Sequence, residues 1–553
     1  MRPPIGVGVR DLSAPAPLTG GKVSLMNPVG PVAAAFGASK AFLPFIMGPV
    51  GGGKTTECIA KGVRVGLEQP AVFDPVRGVP VKKCRGAIVR DTYPNLDRTV
   101  IKSWHQWFPK EMGSWSGDAP RRHSFTIEIG VRGTPGFCLL DMEVIFVAIG
   151  DHAVEDVLRG LELTWLWLNE ADLLPRAIVE IGVGRVGRYP GAKDGGCAMA
   201  QIFGDFNAPE DDNWIVSTII EKKIDPDLVE ALRIEFGENR PLIEFFRQPG
   251  GLEDGAENLH NLPGGKAYYL KQAALLPDDK KRRFVDNRIG PVRHGTPVYP
   301  EFVDDFLYDD QAAKEGHVRP FDLRPGLPIL IGADQGICPG VVMAQLWPEY
   351  DQLVVFDEMA RIFEDDKGHI EVSQMGGEAF GRSVAARLAT RYADWSVGLV
   401  TADPAAAQGE DAIEHRSWRR EFQDGLGVRV RKCGVPGNAV GPRTKAVRDR
   451  LGARVPGRPR LLVHPRCTIT RKAFNSKYVF QRVAMGAAEG GRFGSKPVKV
   501  QGYSDVMNAL EYLAWDVAKG LAPSALGAAA PRGAAGGRTI TNESDYSMFG
   551  GLR

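Results

Sequence analysis

No apolar run in this 553-residue sequence reaches the roughly 18 uninterrupted residues a membrane-crossing helix needs. Its N-terminal stretch "MRPPIGVGVRDLSAPAPLTG" also lacks a long apolar segment, so neither a signal peptide nor an anchor is expected. Cysteine is scarce. Cys58, Cys84, Cys138, Cys197, Cys338, Cys433 and Cys467 are scattered, odd in number and without a C-x-x-C pair. That argues against a zinc site or a disulfide framework and for a reducing compartment. Charge of one sign is lacking too: 69 Lys and Arg stand against 67 Asp and Glu, a net charge of +2. A chain so balanced is not a polyanion binder over its whole surface. What remains is ordinary globular composition, 43% hydrophobic and 25% charged. The length exceeds what one core supports, so two or three domains are expected.

The balance is uneven along the chain. Between Arg429 and Arg482 there are 15 Lys or Arg and a single acid, Asp449. Such a stretch reads as a solvated surface or, with equal weight over this length, as a face for nucleic acid. Residues 1–30 read as a flexible leader, and 521–553, rich in Gly and Ala, as a disordered tail. Between them the expected organisation is an α/β region over 31–222, a lid or linker over 223–320 and a second α/β region over 321–520. In the first region the strand candidates are 41–48, 86–91, 142–150, 163–170 and 198–207. Their near-continuous apolar character predicts a parallel sheet covered on both faces. In the second, a strand at "PILIGADQG" precedes two strands that turn at Pro348–Tyr350. A helix over 370–392, a strand over 397–404 and a last helix over 504–518 follow.

"GPVGGGKTT" fits G-x-x-x-x-G-K-[ST]. Gly48, Gly51, Gly52 and Gly53 let backbone N–H groups turn around phosphates, Lys54 reaches the β and γ oxygens, Thr55 ligates Mg²⁺, and Thr56 continues the turn. The motif follows an apolar strand and opens a helix, as a nucleotide site requires. ATP hydrolysis also needs an acidic strand end, and "WLWLNE" is the best candidate in the chain. Glu170 is the expected base. Asn169 stands where a metal-side acid is usual and offers only a neutral amide oxygen, or serves simply as a helix cap.

Three later carboxylates have the same strand-end character. Asp334 follows "ILIGA", Asp403 follows "GLVTA", and Asp505 opens the last helix. Acids converging from adjacent strands repel one another unless divalent cations neutralise them, and two such cations can drive phosphodiester cleavage. The alternative is ordinary turn-forming aspartates, above all Asp403 before Pro404. Asp357 and Glu358, ending "LVVFDE", read as outer groups of that site or as surface.

In this order the motifs resemble those of the large terminase subunit of tailed bacteriophages over about residues 35–518. "IVRDTYPNLDRTVIKSW", "LRGLELTWLWLNEA", "GDFNAP", "FFRQPGGL" and "AENLHNL" are similar to successive blocks of that family, and "ADQG" and "ADPAA" to its nuclease acids. The resemblance implies a P-loop ATPase domain followed by an RNase H-like nuclease domain. Its implied activities are ATP-driven translocation of double-stranded DNA into a prohead and two-metal endonuclease cutting. Its implied cofactors are ATP and Mg²⁺, with Mn²⁺ at the nuclease site. The partners would be the portal protein, the small terminase subunit and further copies in a ring, in the host cytoplasm and on the prohead, with no membrane. It further implies that Arg159 is an arginine finger and that Asp334 and Asp403 hold metal. Asp505 is expected as the third ligand because a cation gains more from its carboxylate than from the Asn508 amide, which is left as an auxiliary oxygen ligand. The sequence departs at Asn169, where the family usually has Asp. It departs again at "YSDVMNALEY", where alignment puts Asn508 at the acid's place and Asp505 three residues earlier on the same helix face. A DNA-repair helicase-nuclease and a nucleotide-regulated capsid-assembly component are the alternative functions.

Overall fold

The computed structural model describes residues 27–523 except 151, 223–225, 237–239, 291–295, 308–314, 337, 365–369, 408–416, 455–456 and 483–492. Most of the expected leader and tail lies outside the described residues. Two compact units divide at Gly290. None of the described helices is long and apolar enough to cross a membrane.

The first unit is built on nine strands: β1 (Leu43–Met47), β2 (Ala71–Asp74), β3 (Val79–Arg90), β4 (Ser114–Ser116), β5 (Arg121–Ile129), β6 (Cys138–Ala148), β7 (Trp165–Asn169), β8 (Gln201–Phe206) and β9 (Ile243–Arg247). Their order is β4-β5-β6-β3-β7-β8-β1-β9, with β2 beside β3. Along that path from β6 to β9 the pairings are parallel, while β2 runs antiparallel to β3. β1, β7 and β8 are buried at every residue, which is why they read as largely apolar, with Gln201, Asp205 and Asn169 as the buried polar exceptions. The sheet is not parallel throughout. β5 is antiparallel to β6 and β4 to β5, because "RRHSFTIEI" alternates buried and half-buried positions as an antiparallel strand does.

Helix Lys54–Leu67 covers the sheet, and Trp165 wedges between them. A Cβ on Gly62 of the helix or Gly86 of β3 would approach its ring to 2.9 and 2.1 Å, so both positions must stay bare. Truncating either Trp165 or Trp167, both fully buried, would cost about 3–5 kcal/mol.

The second unit contains β10 (Thr296–Pro297), β11 (Ile329–Asp334), β12 (Gly340–Trp347), β13 (Gln352–Ala360), β14 (Ile362–Glu364), β15 (Ile370–Val372), β16 (Val397–Ala402), β17 (Arg431–Lys432), β18 (Leu461–Val463), β19 (Val479–Arg482) and β20 (Phe493–Pro497). Its main sheet runs β17-β16-β11-β12-β13-β18. β11, β12 and β13 form an antiparallel meander, and β16 and β17 add in parallel on the other side of β11. This is the RNase H-like order. Helix Tyr503–Ala518 lies on β11 and β12 so closely that a Cβ on Gly332 would come within 2.1 Å of the Ala509 carbonyl oxygen.

Two boundaries differ from the sequence reading. The 223–320 stretch is shared, since β9 completes the first sheet while Thr296–Pro297 pairs with β19. Its turn signals conceal "IEFFR", whose backbone pairs with β1 over five residues. The helix expected over 370–392 spans Gly377–Arg391, because Ile370–Val372 pairs with Ile362–Glu364 instead.

Two candidate catalytic sites

In the first unit the turn after β1 carries the phosphate-loop glycines. Gly51 and Gly53 adopt φ of 87° and 80°, a region a side chain resists. Gly53 is the N-cap of helix Lys54–Leu67, and Thr55 and Thr56 fall in its first turn. Gly48 and Gly52 are crowded instead by Gln248, whose Oε1 would stand 1.8 and 2.6 Å from a Cβ on them. Gln248 Nε2 donates to the Gly52 carbonyl at 2.9 Å, and Asn258 Nδ2 to that of Gly51 at 2.7 Å. "FFRQPGGL" and "AENLHNL" therefore brace the loop from outside. Lys54 is buried, and its ammonium donates to Gly48 O (2.8 Å), Pro49 O (3.0 Å) and Asn207 Oδ1 (3.0 Å). Burial lowers its pKa, while Asp205 and then Glu170 oppose that.

β7 ends as expected, but Asn169 offers no free oxygen. Its Oδ1 accepts from Arg90 Nη1 at 2.5 Å, and its Nδ2 donates to Asp205 Oδ1 and Oδ2 at 3.0 and 3.2 Å. The helix-cap alternative fails as well, since Glu170, not Asn169, precedes the short turn Ala171–Leu173. Glu170 sits at φ 48°, a left-handed backbone for a non-glycine residue, and Arg90 Nη2 donates to its Oε2 at 2.5 Å. Burial and then Glu170 push Asp172 up to about 6. Asp205 is buried, which raises its pKa; Lys54, Trp167 and Asn169 counter that.

Arg159 stands apart from these groups. It follows the short helix Val154–Leu158, its side chain is 70% exposed, and it pairs with Asp156 at 3.3 Å.

In the second unit β11 and β16 are neighbours, so their terminal acids meet. The Asp403 backbone N–H donates to Ala333 O at 3.1 Å. Asp334 is buried, and burial followed by the Asp403 charge holds its carboxyl well above the ordinary range. Asn508 Nδ2 donates to Asp334 Oδ2 at 3.0 Å, and Asn438 Nδ2 to Asp403 Oδ1 at 2.9 Å. Asp505 adds charge to the same cluster, yet its Oδ2 accepts the Gly502 N–H at 2.6 Å as a helix cap. Its Oδ1, buried, has no hydrogen-bond partner and lies 3.4 Å from Lys499 Nζ. Asp505 and Asn508 do share a helix face, and the direct contact with Asp334 belongs to Asn508. Among the described residues no set of three or more His, Cys, Asp or Glu is close enough to hold a metal ion. Asp334, Asp403 and Asp505 thus form one charge cluster, in which Asp505 is also held by the Gly502 N–H.

Arg443 joins the two asparagines. Its guanidinium donates to Asn438 Oδ1 at 2.8 Å and Asn508 Oδ1 at 3.0 Å, and its Nε pairs with Glu511 at 2.8 Å. Burial works against its charge, but Glu511 and neighbouring phenols outweigh that and raise its pKa.

Asp357 and Glu358 are neither outer groups of this site nor surface. Asp357 binds Arg387 and Tyr392, and Glu358 caps helix Thr468–Lys472 through the Ile469 and Thr470 N–H groups. The basic stretch is also partly consumed inside the fold, with Arg443, Arg450 and Arg471 buried against Glu511, Asp351 and Asp304.

Sequence reasoning missed Arg90, Asp205, Asn207, Gln248, Asn438 and Arg443. Arg90 and Asp205 had a signal: each is a charge at or near the end of a strand otherwise apolar, "GAIVR" and "QIFGDF".

Fold and geometry together define a two-unit α/β chain, one unit with a phosphate loop beside an acidic strand end, the other with paired strand-end aspartates. No family model and no curated protein matches the sequence. Among solved structures the chain is similar to the large terminase of a thermophilic bacteriophage, at 15% identity over 88% of this chain and 98% of that one, TM-score 0.33. It is similar to the ATPase domain of the Thermus phage P74-26 large terminase, at 16% identity over 47% and 93%, TM-score 0.29. A third is the P22 large terminase nuclease domain, at 14% identity over 35% and 83%, TM-score 0.24.

Proposed function

We propose that the chain is the ATPase and nuclease of a viral DNA-packaging motor, acting as a large terminase subunit. The observation that carries this reading is the union, in one chain, of a braced phosphate loop with Glu170 and an RNase H-order sheet bearing Asp334 and Asp403. Gly48–Thr56 suit the phosphates of ATP, because Lys54 already satisfies its ammonium with loop carbonyls that phosphate oxygens can replace. Mg²⁺ would be held by Thr55 and would spread the charge developing on the transferred phosphoryl group. Glu170 would take the proton of the attacking water once Arg90 releases it. Arg159, exposed as it is, suits a role on a neighbouring subunit's nucleotide in a ring.

In the second unit the carboxylates fit divalent cations, since Asp334 and Asp403 face each other and Asp505 keeps a buried oxygen without a hydrogen bond. Mg²⁺ or Mn²⁺ held there would activate water for phosphodiester cleavage. Asp334, Asp403 and Asp505 would supply the negative charge, and Asn508 and Asn438 would orient the first two. Double-stranded DNA, the portal protein and the small subunit are the partners this reading requires. ATPase assays with and without DNA and portal-bearing proheads test it, with stimulation by both expected. Unwinding of forked DNA without any response to proheads would favour a repair helicase-nuclease, and absence of turnover a structural role.

A further inference from the structure

The first site has an amide at 169, where the resemblance leads one to expect a carboxylate, and carries an unassigned carboxylate next door. Asn169 and Asp205 are register partners on adjacent parallel strands, so their side chains leave the same face of the sheet. Asp205 is also the partner of Ile46 on β1, the strand that runs straight into the phosphate loop. It is 2% exposed, and its nearest opposing cation is Lys54, which reaches the same strand end through Asn207. Two donors hold it: Trp167 Nε1 at 2.7 Å and Asn169 Nδ2 at 3.0 Å, both on Oδ1. Oδ2 has only the longer contact with Asn169, 3.2 Å. A buried carboxylate is costly unless something uses its charge. Asn169, by contrast, spends its oxygen on Arg90 and its amide on Asp205.

We propose that Asp205 is the metal-side carboxylate of the nucleotide site, displaced by one strand toward the phosphate loop, and that Asn169 orients it. On this assignment the pair Asn169–Asp205 is an exchanged version of an acid at 169 beside a neutral residue at 205. Total charge is conserved and the amide–carboxylate contact is kept, so one strand end has merely handed its charge to the next. The inference rests on the ATPase reading above and adds to it which residue faces the cation.

The test measures binding of a fluorescent ADP analogue to the full chain with and without Mg²⁺, together with the Mn²⁺ bound in addition when the analogue is present, by electron paramagnetic resonance. Asp205→Asn should still bind nucleotide without metal. It should remove the gain that Mg²⁺ brings and weaken Mn²⁺ binding by about tenfold to a hundredfold. The exchange N169D/D205N, which keeps the amide–carboxylate pair and therefore folds even if the single variant does not, should restore most of that gain. Full Mg²⁺ dependence in Asp205→Asn, or an exchange variant that binds nucleotide but gains nothing from Mg²⁺, overturns the assignment of Asp205 alone. A wild-type chain that binds no nucleotide with or without metal overturns the ATPase reading and this inference with it.

Discussion

The two candidate sites handle buried negative charge in opposite ways. In the first unit the acids at the ends of β7 and β8 each have a cation of the chain's own within reach: Lys54 for Asp205, Arg90 for Glu170. In the second, Asp334 and Asp403 face each other through neutral asparagines, and the nearest guanidinium, Arg443, is one residue further back. The first site is internally neutralised and must exchange partners when phosphate enters. The second holds a repulsion between buried carboxyls that protonation of Asp334 relieves and that a bound divalent cation would relieve as well.

The largest effects should come from removing the groups that define each side of this contrast. Lys54→Ala should abolish ATP hydrolysis, because the phosphates lose their loop-borne cation, and plasmid cleavage should persist. Asp334→Ala and Asp403→Ala should each abolish Mg²⁺- or Mn²⁺-dependent cleavage and leave hydrolysis intact. If any of these changes silenced both activities, the sites would not be separable as drawn.

Arg159→Ala should spare nucleotide binding and cut hydrolysis by about 10³ or more if it is a finger. Mixing it with Glu170→Gln subunits should then recover activity. Its exposed pair with Asp156 is worth little by itself, so unchanged hydrolysis would leave Arg159 a surface residue.

The third ligand separates more finely. Asp505→Ala should lose cleavage, whereas Asn508→Ala should weaken it while Asp334 loses its hydrogen bond. A cutting Asp505→Ala enzyme beside a dead Asn508→Ala enzyme would reverse that order.

The smallest effect is a pH dependence of stability. Asp334 has a folded pKa raised above its unfolded value. Its contribution to stability is therefore fully present below the unfolded value, about 4, and is lost as pH rises toward the folded value. Mn²⁺ binds the deprotonated form, so the rise in Tm it produces should grow with pH across that window and vanish in Asp334→Asn. A shift independent of pH would mean that the cation binds elsewhere.

Much of both sites was legible because it depends on local order. A glycine-rich turn after an apolar strand and acids at strand ends are features of contiguous residues, and the backbone periods of helix and strand carry them into space. What was not legible involves residues brought together across the sheets. Arg90 reaches Glu170 from β3, and Gln248 reaches the phosphate loop from the far side of β9. The basic run Arg429–Arg482 is a related case. Composition showed its charge, but only packing revealed that Arg443, Arg450 and Arg471 are buried and pair with Glu511, Asp351 and Asp304.

By itself the sequence determined the two α/β regions, the phosphate loop, the strand that ends in Asn169 and Glu170, and the pairing of Asp334 with Asp403. Those follow from patterns within about ten residues, or from two strands that a parallel sheet is bound to juxtapose. Only the tertiary structure decided that the buried Asp205 lies against Asn169, that Asn508 rather than Asp505 touches Asp334, and that Arg443 stands behind both aspartates. The reason is register. Which residue of one strand or helix faces which residue of another is set by the packing of whole elements, and a shift by one position turns a strand side chain to the opposite face and swings a helix side chain by about 100°.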